Sequence, residues 1–213
     1  GIMITIETNK GISHVVKDCR YKRTAVWRLI ENGVSLEGAV LYGIDLEGID
    51  FEGVDLEGAD LRDCNLKDAN FAGANCSNAN FENTNLKNAN FTGAVLNGAN
   101  FKGANLVGAV FDGARLEGAD LSDAILYGAS LKGAVLESAI LENADCDSAD
   151  LESANFYGAD LRGAVLYKAN LKNAYLNNAD LTGANVNGAN LHGANLDSAS
   201  WTFSCQTLYA TID

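Results

Sequence analysis

Proline is absent from the 213 residues, and there are only one methionine and two histidines. Without proline, polyproline segments and prolyl turns are excluded. The two histidines, His14 and His192, have no framework around them for a catalytic triad or a metal site. The five cysteines (Cys19, Cys64, Cys76, Cys146, Cys205) are odd in number and form no Cys-x-x-Cys pair. A disulfide framework and a zinc site are therefore unsupported, and the cysteines read as reduced thiols of a cytosol. Positive charge is also scarce, with 15 Lys and Arg against 28 Asp and Glu, a net charge of -13. Such a chain repels nucleic acid and anionic lipid, so direct nucleic-acid binding and membrane attachment are not expected, and its partners are basic or neutral surfaces. No apolar run has the length of a membrane span or a signal peptide. Gly1-Ile2 ahead of Met3 reads as a remnant of cloning, with Met3 as the native start, and the expected location is cytoplasmic. No cofactor motif is found.

What the chain does contain is a period. From Leu36 to Trp201 a large residue falls on every fifth position, giving 34 units, of which 23 are centred on Leu and 7 on Phe. Ala stands two residues before the centre in 28 of them, Asn or Asp usually stands between, and the second residue after the centre is Gly in 19. A period of five suits neither a helix, whose apolar face would rotate by about 140° per unit, nor a straight strand, where an odd step changes face. The chain must turn within every unit. Residues two apart in an extended segment point the same way, so Ala and Leu face inward and the polar residue between them faces out. The two remaining residues make a corner, for which Gly, Asn, Asp and Ser are suited.

This A(N/D)LxG pattern resembles the pentapeptide-repeat family over about four-fifths of the chain. The resemblance implies an all-β solenoid, a right-handed quadrilateral β-helix of about 8 coils, with four units and 20 residues per coil and coils about 4.8 Å apart. Sorting by 20 then gives four faces, with centres starting at Leu36, Leu41, Leu46 and Phe51. Grouped phenylalanines fall in the second and fourth rows. The expected organisation is an N-terminal cap over 1–33, an uninterrupted repeat over 34–201 and a short C-terminal lid over 202–213. In the cap, residues 3 to 17 read as a hairpin and 20 to 32 as a short helix whose Val26, Leu29 and Ile30 plug the first coil.

A wall of this kind offers no cleft for paired carboxylates, so a non-enzymatic role is expected. The glycine-rich aspartate repeat of calcium β-rolls is missing, and the Asn and Asp rows are expected to bond along the stack. Two surface features remain. On the first face Glu37, Glu57, Glu117 and Glu137 lie in one row with Asp55 nearby. Family members that bind DNA gyrase do so by imitating duplex DNA, so the resemblance implies a possible partner with a basic groove, such as that type II topoisomerase. The same carboxylates would equally serve to keep a rod soluble. On the third face Val107, Ile125, Tyr127, Val165 and Tyr167 form an apolar patch, and with it an alternative: an assembly scaffold that binds a protein partner or itself.

Overall fold

The computed structural model describes residues 1–201, and the expected lid over 202–213 lies outside the described residues. Two strands, β1 (Met3–Glu7) and β2 (Ser13–Lys17), pair antiparallel with Ile6 opposite His14. One helix, α1 (Lys22–Glu31), follows. From there the chain winds through isolated parallel bridges, each joining a residue to the one 20 positions later. One row runs through Val40, Asp60, Asn80, Asn100, Asp120, Ile140, Asp160, Asp180 and Ser200.

The unit Ala94-Val95-Leu96-Asn97-Gly98 shows why five residues suffice. The N–H of Ala99 donates to the Leu96 carbonyl at 3.0 Å, closing a four-residue turn in which Gly98 has φ of 67°. A positive φ at the third turn residue is the type II signature, which Gly adopts without a Cβ clash. The other main-chain groups bond to neighbouring coils: Leu96 N–H to Arg115 O (2.7 Å), Gly98 N–H to Glu117 O (3.0 Å), and Val95 N–H back to Ala74 O (3.0 Å). The polar residue before each centre has a local partner as well. Asn100 Oδ1, for example, accepts the N–H of Lys102 at 2.9 Å, an Asx turn that repeats along the rod. Bonding along the stack is present beside it, as from Asn70 Nδ2 to Asp50 Oδ1 (3.1 Å) and from Asn170 Nδ2 to Asp150 Oδ1 (3.2 Å).

The core is a solid column of Ala, Leu and Phe with the centres from Leu36 to Leu181 almost wholly buried and Val186 half-buried near the far end. Phe71, Phe91 and Phe111 stack at 4.6 and 4.9 Å, and Phe81 stacks on Phe101 at 4.8 Å. These two rows belong to opposite walls and interlock edge to face at 5.6 to 5.8 Å. Where the inward Ala is replaced by the larger Ile44 and Cys64, the wall loosens, whereas at Thr84 the bond from Asn105 N–H keeps its ordinary 3.0 Å. Asn65 and Asn85 N–H reach the carbonyls of Ile44 and Cys64 at 3.2 Å, against 2.9 Å for Asn80 N–H to Ala59 O. The Cys64 thiol and Thr84 hydroxyl satisfy themselves on Leu41 O (3.0 Å) and Leu61 O (2.7 Å).

The N-terminal segment substitutes for the coil that the first turn lacks. Thr8 bridges Ala39, Asn9 N–H donates to Gly38 O (2.8 Å), and Val40 N–H donates to Glu7 O (2.8 Å). On the third face, where Asp45 and Glu47 have no preceding coil to bond, the Arg23 guanidinium donates to both main-chain carbonyls, at 3.5 and 2.6 Å. Helix α1 buries Ala25, Val26 and Leu29 and ends in a Schellman motif: Gly33 (φ 68°) donates to Ile30 O and Val34 to Leu29 O. Ile30 is half-buried, and Trp27, 54% exposed, stands outside the plug.

Candidate functional site

With the interior filled, the outer faces and the side chains on them are what a partner can touch. His14 lies on β2 opposite Ile6, and His192 is exposed near the far end. Cys64, Cys76 and Cys146 are buried; loss of hydration pushes their thiols up, to about 11 at Cys64 and about 12 at Cys146 and higher still at Cys76. Among the described residues no group of three or more His, Cys, Asp or Glu is placed to hold a metal ion, and no helix is long and apolar enough to cross a membrane.

The first-face row is less uniformly anionic than its sequence. Glu37 is held by Lys10 of the hairpin turn, an ion pair that raises the lysine's pKa. Glu117 takes Arg115 from its own unit at 3.1 Å, because residues two apart share a side. Its other oxygen, Oε2, is buried without a hydrogen-bond partner. Glu137 accepts Asn155 Nδ2 at 2.9 Å, and Asp55 Oδ1 accepts the N–H of Glu57 at 3.1 Å. Glu57 is exposed. The row therefore offers Asp55 and Glu57 at the head end and Glu137 farther along, with the other two carboxylates already paired to cations.

Charge sorts by coil more clearly than by face. Residues 34–73 contain ten acids and two bases, 74–113 two of each, 114–153 nine acids and two bases, and 154–193 two acids and three bases. Two acidic bands thus encircle the rod, with a neutral pair of coils between them and centres about 19 Å apart at the β-strand spacing.

The five third-face residues are split. Ile125 and Val165 both bridge to Asp145, which sits between them, and Asp147 separates Tyr127 from Tyr167 in the adjacent row. Ile125, Tyr127 and Tyr167 are exposed, while Val107 and Val165 are half-buried. On the second face Arg62 and Arg162 each grip the aspartate two residues earlier, Asp60 and Asp160, at 2.7 Å. Those guanidiniums hold both carboxyls below their usual range.

A family model described as a pentapeptide repeat region matches residues 44–121, and a second, described as pentapeptide repeats in 8 copies, matches 104–143, 129–167 and 159–197. Among solved structures, full-length QnrB1, a plasmid-mediated fluoroquinolone resistance protein, aligns with a TM-score of 0.60 and 20% identity, covering 82% of this chain and 91% of its own. A pentapeptide repeat protein of the Arabidopsis thaliana thylakoid lumen is 38% identical over 42% of this chain and 66% of its own, with a TM-score of 0.38. HetL, involved in heterocyst differentiation regulation in Nostoc sp. strain PCC 7120, is 29% identical over 83% and 95%, with a TM-score of 0.28. A search of curated proteins finds no sequence that matches. The shared fold is the right-handed quadrilateral β-helix.

Proposed function

The chain belongs to the pentapeptide-repeat family, and from that premise we propose that it is a non-enzymatic binding rod whose acidic bands occupy a basic groove that otherwise holds duplex DNA. The partner class is a type II topoisomerase such as DNA gyrase. The observation that carries the reading is the placement of carboxylates on a rigid repeat in two bands about 19 Å apart, a fixed array that a groove lined with Lys and Arg can meet as it meets phosphates. Asp55, Glu57 and Glu137 are the first-face members of that array. Glu37 and Glu117 contribute once Lys10 and Arg115 turn aside. That QnrB1 of the same fold is a fluoroquinolone resistance protein makes drug protection one arm of the test.

The test is a gyrase supercoiling assay with the purified rod, with and without a fluoroquinolone, beside a variant carrying Glu37, Glu57, Glu117 and Glu137→Gln. Inhibition or drug protection by the native rod that weakens in the variant supports the reading and places the contact on the first face. An effect retained by the variant shifts the contact to another part of the bands. No effect from the native rod at high concentration overturns the topoisomerase assignment.

A further inference from the structure

The third face differs from the other three in one respect: among the described residues it contains no ion pair. Lys10–Glu37 and Arg115–Glu117 lie on the first face, Arg62 and Arg162 pair on the second, and Lys132 meets Asp150 at 3.5 Å on the fourth. Charge is nevertheless plentiful on the third. The outward residue after each centre reads, coil by coil, Glu47, Lys67, Lys87, Val107, Tyr127, Asp147, Tyr167, Asn187, with Asp45 and Asp145 in the preceding row and Lys168 at the corner beside Tyr167. Among the described residues Lys67 and Lys87 have no carboxylate within ion-pair distance, and Lys168 lies over the Tyr167 ring at 5.1 Å.

Reversed and laid against itself about Val107, the row is complementary to its own image. We infer that two copies of this chain pair antiparallel through their third faces, with the two-fold axis passing beside Val107. The axis lies between the faces and across the rods, so each column faces its own reverse. Val107 meets Val107, Lys87 meets the Tyr127 ring, Lys67 meets Asp147, and Lys168 reaches Asp45 and Glu47. Each charged pairing occurs twice by symmetry. The parallel arrangement sets Asp45 against Glu47 and Asp145 against Asp147, and like charges oppose it. A shift of one coil along the antiparallel row sets Lys67 beside Lys168. Charge thus selects both the direction and the register. It also accounts for Asp145 and Asp147 in the middle of the apolar patch, since they are the partners of Lys67 in the other copy. The paired strip, about 30 by 10 Å from strand spacing and rise, is well under the roughly 800 Å² per partner of a stable complex. The dimer is therefore of the weak, transient class and salt-sensitive.

Sedimentation velocity over a concentration series at low salt tests it, using the full chain, the single variants Lys67→Asp and Asp147→Lys, and the double variant. The native chain dimerises, each single reversal weakens the dimer on the order of tenfold, and the double variant, in which the charges are exchanged, restores it. Circular dichroism of each variant shows that the rod is folded, since both side chains lie outside the core. Val107→Cys forms a disulfide-linked dimer under mild oxidation, whereas Asn187→Cys does not. A chain that stays monomeric at millimolar concentration overturns the inference, as does a dimer indifferent to the reversals or one not rescued by the exchange. The inferred dimer does not rest on the topoisomerase proposal, because sedimentation reads self-association in the absence of any partner. Lys67 and Asp147 lie within the two acidic bands, so these variants are scored for the dimer alone and the first-face glutamine variant for supercoiling.

Discussion

Phe91 and Phe101 stand on opposite walls of the square and meet edge to face across its centre, with ring centroids 5.6 Å apart and planes at 88°. Each also stacks on a ring of its own wall, so the six aromatics from Phe51 to Phe111 form one interlocked column. Phe91→Ala leaves a cavity that a column hydrogen-bonded on every wall cannot collapse, and is expected to cost about 3–5 kcal/mol. Phe111→Leu, at the end of the column, is expected to cost about 1–2 kcal/mol less than that. Chemical denaturation of the two variants checks the order, and equal losses would remove the special standing of the crossing.

Arg23 is expected to matter to one end of the rod alone. Its guanidinium replaces the hydrogen bonds of a missing coil at Asp45 O and Glu47 O, and Arg23→Ala should cost about 1–3 kcal/mol in the stability of the cap and first coil. In a solenoid such a loss stays local. Hydrogen exchange should quicken at Leu41 and Leu46 and remain unchanged at Leu106 and Leu126. Uniform quickening would mean that the rod opens as one unit.

Acid is expected to weaken the second face. Asp60 and Asp160 have carboxyls depressed in the folded chain, chiefly by the hydrogen bond from Arg62 and Arg162. A depressed carboxyl contributes stability that is complete above the unfolded value of about 4 and lost as pH falls below it through the folded value. The carboxylates are half-buried but their arginine partners are exposed, so the pairs are screened and each contribution is below about 1 kcal/mol. Thermal unfolding of Asp60→Asn/Asp160→Asn should therefore fall less between pH 7 and pH 3 than that of the native chain. An identical fall would assign the acid response to other carboxylates.

Cys64, Cys76 and Cys146 should resist alkylation in the native rod at pH 8 and react after denaturation. Burial removes both access and thiolate, which is the reactive form. Peptide mapping after brief labelling gives the answer by residue, and modification of Cys146 without unfolding would show that the wall opens there.

The wall and its inward residues could be read from the sequence because a five-residue period with Ala and Leu two apart has one economical solution in extended chain. The corners held by Gly, Asn, Asp and Ser were legible for the same reason; Lys168, with φ of 55°, is the corner that residue type does not explain. Three features depend on distances that a period does not contain. The meeting of Phe91 with Phe101 requires the width of the square. The capture of Glu37 by Lys10 requires the seat of the hairpin on the first coil. The division of the apolar patch by Asp145 was written in the spacing by 20, but it becomes visible only when polar and apolar residues are laid in the same column. Arg115 beside Glu117 could have been found from the two-residue rule alone.

The bridges from each residue to the one 20 positions later also govern how such a chain can change in length. Twenty added residues lengthen the rod by about 4.8 Å and leave every existing face in line. Five added residues preserve the core equally well but turn everything beyond them through a quarter circle. Lys67 and Asp147 would then look out in different directions. Growth in this architecture is free in steps of one unit for folding, and confined to steps of four for recognition.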